Sequence, residues 1–216
     1  MLNFLRIFMV MTALMAVQPG AAASSPDADV SRMGEAWAAL KYQTQADPEK
    51  LAKVRALKQE AVALSEKFPT AAGFLYWRAQ ILCLEAELIH SAGSLDRMRE
   101  ARDLLEKADT LDPRSSATKS LLGSVHYEVP GWPLSFGSNK AAAKYLREAL
   151  ALDQDGMDPN FFMGDFLLAD GHADEAMPYL EKADIASRHL PQSLVVAGRR
   201  TEIAEAIAKA RKRLGK

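Results

Sequence analysis

Few side chains in this sequence are of the types that do covalent or metal chemistry, and their spacing argues against most of it. Ser135 sits in Pro133-Leu134-Ser135-Phe136-Gly137, which reads like a nucleophile elbow with Pro in place of the first Gly. An elbow needs a strand before the serine and a helix after it. Here the preceding run, ending near Glu128-Val129-Pro130, has a helical pattern, so Ser135 is expected in a loop. Asp153-Gln154-Asp155-Gly156-Met157-Asp158 hints at a calcium loop. With Gly156 at the obligatory sixth position, the first and twelfth fall on Ala151 and Phe162, where a carboxylate and a bidentate Glu are required. A turn between helices explains these acids better. The four histidines are His90, His126, His172 and His189. No pair is spaced i,i+4 and none lies in HExxH, so zinc has no support. His126 is expected as a partly buried, hydrogen-bonded residue. Cys83 is alone, which leaves no internal disulfide and no CxxC pair; it is expected to pack as a small hydrophobe. No catalytic residue, metal or cofactor follows from these residues, and an enzyme is not expected.

The elements that would position any site are helices. Among 216 residues there are 37 Ala against 6 Ile, 9 Val and 6 Thr. Alanine favours helix and the β-branched residues favour strand, so an all-β fold is excluded. Hydrophobic residues make up 49% of the chain, enough for a core. With 27 Lys+Arg against 28 Asp+Glu the net charge is −1, so no global field favours nucleic acid or an anionic membrane. The N-terminus reads as an address. Arg6 and the terminal amine precede the apolar run Ile7 to Val17, then Gln18-Pro19-Gly20, then Ala21-Ala22-Ala23 before Ser24. That is the three-part secretory signal, with cleavage expected after Ala23. Eleven helical residues reach only ~17 Å against ~30 Å of hydrocarbon, so the run is too short to remain as a span. No integral membrane segment is expected after cleavage. The protein is expected in the periplasm or secreted.

Residues 24–28 are small and polar and are expected to be mobile. Beyond them, 29–216 reads as one helical domain. Asp47-Pro48 and Asp158-Pro159 each read as a cap followed by Pro at the first helical position. Leu51, Val54, Leu57, Ala61 and Leu64 form one apolar stripe. Turn residues at 68–70, 92–94, 112–114, 137–139, 153–156 and 171 divide the chain into helix pairs at about 29–67, 71–113, 116–153 and 159–187, with a terminal helix at about 198–214. Three second helices carry the same triplet: Ala101, Leu105, Ala108; Ala142, Leu146, Ala149; Ala176, Leu180, Ala183. Ala149 and Ala183 are 34 residues apart, and the step before is longer by a 7-residue insertion.

These segments resemble tetratricopeptide repeats (TPRs), helix–turn–helix units with a 34-residue period. The resemblance covers about 69–187, with looser flanks. It places Ala79, Gly123 and Gly164 at the family's small eighth position, the triplets at positions 20, 24 and 27, and Gly171 in the turn. It implies an all-α, right-handed superhelix of antiparallel helix pairs with a C-terminal capping helix, and a protein or peptide as partner. Two residues depart from the pattern. Asn160 stands where the family has a bulky apolar residue, and Pro178 falls inside a second helix, where it should remove a hydrogen bond and kink the chain. The segment 71–113 is expected to hold a long turn around His90 to Arg97.

A narrower resemblance rests on Val129 to Gly137 and on Asp158 to Leu167. These are similar to exported bacterial repeat proteins related to the T-component of TRAP-type solute transporters, a periplasmic helical protein that contacts the substrate-binding subunit. It implies an accessory of solute transport or envelope assembly. The candidate partner-contact residues are Trp132 and Phe136 in the insertion, with Tyr127, Asn160 and Asp165 on the flanking helices. The insertion has two readings: a cover folded over the core with Trp132 as anchor, or a stiff contact surface. The C-terminal helix carries Arg199, Arg200, Lys209, Arg211, Lys212, Arg213 and Lys216. It is expected to cover the last repeat and keep its basic side wet. A small hydrophobic ligand in the repeat groove is the alternative to a polypeptide partner.

Overall fold

The computed structural model describes residues 25–44, 48–89, 91 and 93–215. The expected signal segment, its cleavage site and the capping residue Asp47 lie outside them. The described residues form nine α-helices: α1 (Pro26–Ala38), α2 (Pro48–Lys67), α3 (Ala72–Ile89), α4 (Gly93–Leu111), α5 (Ser116–Glu128), α6 (Asn139–Leu152), α7 (Met157–Ala169), α8 (Ala173–Arg188) and α9 (Leu194–Arg213). A single π turn, Ala39–Gln43, extends α1. Consecutive helices pack as pairs, α3 with α4, α5 with α6, α7 with α8, and each pair stacks on the next. Among the described residues no helix is long and apolar enough to cross a membrane.

The repeated triplet is what locks each pair. All nine of its residues, Ala101 to Ala183, are 0% exposed. The small residue of the first helix faces the central leucine of the second. A Cβ added at Gly123 would stand 2.5 Å from Leu146 Cγ, and one at Gly164 would stand 2.7 Å from Leu180 Cγ. Two helix backbones can approach this closely only where one side presents no side chain. Gly164→Leu is therefore expected to overpack the α7–α8 contact and cost ~1–3 kcal/mol, read as a lower thermal midpoint. A variant as stable as the parent would show that this contact is not the lock.

Several boundaries differ from the sequence reading, each for a local reason. Helix α1 begins at Pro26, inside the stretch expected to be mobile, because Ser25 caps it by accepting from Ala28 N–H. Helix α4 begins at Gly93, so Ser94 to Arg97 are helical and not part of a long turn. The Ser94 hydroxyl tightens that turn, donating to Ala86 C=O at 3.0 Å and accepting from Ser91 N–H. Helix α7 is capped at Gly156 rather than Asp158, which lies in its first turn. Helix α9 starts at Leu194, four residues early, because Ser193 accepts from Val196 N–H. Helix α8 runs through Pro178, whose missing N–H falls on an exposed side of the helix.

The largest core cluster runs from α3 to α9. A second, around Met33, Trp37, Val54 and Leu84, seats α1 and α2 on the other side of α3. Helix α9 does more than cap α8. Its N-terminal end also meets α1. Leu194 N–H donates to Glu35 Oε2 at 3.1 Å, and the Tyr42 ring lies so close to Gly198 that a Cβ there would be 2.0 Å from it. The first and last helices thereby bring the two ends of the stack together.

Candidate binding groove

The first helix of each pair turns one stripe inward, at spacings of three and four, so the stripes share one concave face. From α1 and its π turn come Trp37 and Lys41; from α3, Gln80, Cys83 and Glu87; from α5, Leu121, Ser124 and Glu128. Helix α7 adds Phe161, Phe162 and Asp165, and α9 adds Arg199, Glu202, Glu205, Ala206 and Lys209. Together they line a cavity of about 310 Å³ that is open to solvent. Trp37 is fixed at its wall by an indole N–H donated to Gln80 C=O at 3.1 Å.

Arg199 organises the α7–α9 side. Its side chain is 8% exposed, its Nε donates to Asp158 Oδ1 at 2.9 Å, and its Nη1 pairs with Glu202. The guanidinium lies over both Phe161 and Phe162, 4.6 Å from each ring centre. Burial works against its charge, but Asp158 and Glu202 outweigh that and hold it charged above the ordinary arginine value. Helix α9 keeps Lys209, Arg211, Lys212 and Arg213 exposed, as expected of a basic outer side, but its N-terminal cations depart from that picture. Arg199 faces inward, Arg200 donates to Ser187 C=O, and Arg213 reaches Leu168 C=O. Lys41 bridges Glu87 at 3.1 Å and Glu202 at 3.6 Å, tying α1 to α3 and α9.

The α5–α7 side is different. Glu128 Oε1 accepts from the Ser124 hydroxyl at 2.6 Å, and Asp165 Oδ2 accepts from the Tyr127 hydroxyl at 2.7 Å. Among the described residues neither carboxylate has a Lys or Arg within 4.0 Å. Glu128 still meets solvent at the groove mouth, yet crowding by the groove walls, with Glu87 and Asp165 nearby, pushes its carboxyl above the usual range. The same crowding, with Glu128 and Glu87 adding to it, raises the Cys83 thiol well above an ordinary cysteine. It is no thiolate nucleophile at neutral pH.

The five residues singled out from sequence fall in three places. Tyr127 and Asp165 are brought together by a hydrogen bond, and of the two Asp165 lines the groove. Asn160 is fully buried and donates to Gln154 C=O and Gly156 C=O at 2.9 and 2.8 Å. It ties the α6–α7 turn, which is why an amide stands where the repeat pattern has an apolar residue, and it offers no contact surface. Trp132 and Phe136 separate within the insertion. Phe136 packs edge-on to His126 and takes the Arg102 guanidinium 4.5 Å above its ring. Val129 is buried beside it in the core. Trp132 is 90% exposed and Leu134 is 70% exposed. The anchor of the insertion is thus Phe136 with Val129, and Trp132 projects. Its stem is closed by Ser138 N–H donating to His126 C=O at 2.8 Å and Gly137 N–H to Pro130 C=O at 3.0 Å.

The Ser135 hydroxyl is buried in this insertion without a hydrogen-bond partner among the described residues, and a helix, not a strand, precedes it. His126 is less satisfied than the sequence suggests. It stacks on Tyr145, its Nδ1 lacks a partner among the described residues, and burial pulls its pKa below the ordinary histidine value. Asp153 to Gly156 form the turn between α6 and α7, and Asp158 serves Arg199. Sequence reasoning missed Lys41, Glu87, Glu128, Arg199 and Glu202. The three-and-four spacing on the first helices was available as a signal for Glu87 and Glu128. Nothing local announced that α9 would turn Arg199 and Glu202 onto the same face.

Several solved structures are similar to this chain. One is a thermophilic TPR protein of Thermus thermophilus, 20% identical, with a TM-score of 0.57 over 85% of this chain and 91% of that one. Another is MamA, 18% identical with a TM-score of 0.45 over 76% of this chain and 90% of that one. A third, YrrB, described as a TPR protein with an unusual peptide-binding site, is 17% identical with a TM-score of 0.42 over 85% of this chain and 94% of that one. No protein-family profile matches the sequence. No curated protein matches it either. The likeness to the Thermus protein, with the helix pairs described above, makes the fold an all-α, TPR-like superhelix.

Proposed function

We propose that this chain is an exported interaction module that holds a segment of another polypeptide in its concave groove and makes a second contact through the tip of the 129–138 insertion. The observation that carries this reading is the groove itself. Five helices converge on one open cavity, and its lining mixes aromatic walls with five carboxylates and three cations. A hydrophobic small molecule would need an enclosed, mostly apolar site, and this lining does not supply one. The exposed Trp132 and Leu134 add a stiff apolar tip, and tryptophans of this kind dominate interface energetics. Export rests on the N-terminal signal pattern. The role as accessory of solute transport or envelope assembly rests on the likeness of the insertion and α7 to T-component-like proteins.

Photo-crosslinking in the producing cell tests the reading. A benzophenone amino acid is placed at Glu205 on the groove rim, at Trp132 on the tip, or at Lys144 on the outside of α6. Polypeptide adducts are expected from the first two positions and not from the third. The N-terminus of the adduct chain is expected at Ser24 or within a few residues. Adducts absent from both Glu205 and Trp132 would overturn the binding reading, and an intact Met1 would overturn export.

A further inference from the structure

The groove is unequal in its charges, and the inequality specifies what it receives. On its α1–α9 side two of the three lining cations are already used, and the third, Lys209, is exposed to solvent. Arg199 is held by Asp158, Glu202 and two phenyl rings, and Lys41 is held by Glu87 and Glu202. Both already serve carboxylates inside the fold, and the five carboxylates of the lining outnumber its three cations. On the α5–α7 side Glu128 and Asp165 face the same cavity with only hydroxyl donors, from Ser124 and Tyr127. From the charges of the lining and this division of partners we infer that the cavity receives a cationic side chain, lysine or arginine, of the bound polypeptide, seated between Glu128 and Asp165. This inference rests on the interaction-module reading and adds the chemistry of the bound residue.

Three features of the site support it. Cavity space of about 310 Å³ adjoins both carboxylates, so the cation needs no rearrangement to enter. Two carboxylates facing one cavity repel each other until a cation arrives; the Glu128 carboxyl is raised first by burial against the groove walls and then by the charges of Glu87 and Asp165, with Lys41 opposing them. A guanidinium or ammonium placed there converts both hydroxyl-bonded carboxylates into charge-assisted pairs, which are the stronger kind. The apolar stem of such a side chain would lie along Leu121 and Phe162, which line the same cavity.

The test is an NMR titration of the full chain with three probes. Nα-acetyl-arginine amide carries the side-chain charge, Nα-acetyl-glutamine amide lacks it, and putrescine carries charge with no peptide groups. The arginine probe is expected to shift groove amides of α5 and α7, the shifts weakening as salt is raised, and the glutamine probe is expected to leave them in place. Glu128→Gln and Asp165→Asn, each checked for an unchanged melting curve, are expected to weaken the arginine probe several-fold, and the pair together to abolish it. No groove shifts with the arginine probe, or shifts indifferent to both substitutions, would overturn the inference. Shifts with putrescine alone would also overturn it, by assigning the site to free amines. The outcome is separable from the crosslinking result. Adducts from Glu205 with no arginine binding would leave the module reading standing and remove only this inference.

Discussion

Replacing Arg199 by alanine is expected to cost about 3–5 kcal/mol, the usual cost of removing one partner from a buried ion pair. The side chain is 8% exposed, and its loss strands Asp158 and leaves Glu202 only its 3.6 Å contact with Lys41, both carboxylates being less than a quarter exposed. It also removes the group that spans Phe161 and Phe162, so packing is lost with the charge. At roughly 2–4 °C per kcal/mol for a chain of this size, the thermal midpoint should fall by about 10 °C. The damage should be local as well as global. Helix α9 meets α1 near Gly198 and Leu194 and meets α7 through Arg199. Amide exchange in α9 should therefore accelerate more than in α5 and α6. Arg199→Lys keeps the charge but loses the planar fork that serves two carboxylates and stacks on rings, so it should recover only part of the loss. An alanine variant with unchanged midpoint and unchanged exchange in α9 would show that the α9 contacts with α8 suffice without it.

How much of this was legible in the sequence depends on whether a feature is local. The triplets Ala101-Leu105-Ala108, Ala142-Leu146-Ala149 and Ala176-Leu180-Ala183 encode a contact within one helix pair, and all nine residues are buried in that register. The caps at Ser25 and Ser193 are local too, but a Ser before a weakly periodic stretch looks like any loop serine, so they escape notice. The groove is another matter. Glu87 and Glu128 sit on visible helical stripes, yet their importance comes from facing Arg199 and Glu202 across the cavity. Arg199 reads as one cation among seven on a C-terminal helix. Only the return of α9 onto α1 and α7 makes it a buried one, and that closure joins residues more than 150 positions apart. Trp132 shows the opposite failure. Tryptophan among prolines in a short loop suggests an anchor, whereas the smaller Phe136 finds His126 and Arg102 to pack on and leaves the indole outside.

Glu85 should govern the acid stability of the N-terminal half. Its side chain is 1% exposed, and three cations cover it: Arg55 Nε at 3.1 Å and Lys58 Nζ at 2.6 Å from α2, and Arg97 Nε at 3.1 Å from α4. The carboxylate sits near the surface, shielded by these partners more than by depth, since Arg55 and Arg97 are themselves half and one-third exposed. Burial opposes its charge, but hydrogen bonds from Lys58 and Arg55 and the charges of Lys58 and Arg97 outweigh burial and hold the carboxyl below the ordinary Glu value. Glu85→Gln removes the charge that three cations share and joins α2, α3 and α4. It should cost about 3 kcal/mol at neutral pH, the lower end for a buried pair because two of the cations can still reach water. The pH dependence has a definite sign. A carboxyl depressed in the folded state stabilises fully above its unfolded value of about 4.3 and loses that contribution as pH falls through the folded value. The gap in melting temperature between the parent and Glu85→Gln should therefore be constant from about pH 6 to 8 and close progressively below about pH 4. Other carboxylates titrate in both proteins, so the gap is the informative quantity and not either curve alone. A gap that persists unchanged into acid would mean that shape and hydrogen bonding at Glu85, not its charge, hold the first helix pair to the second.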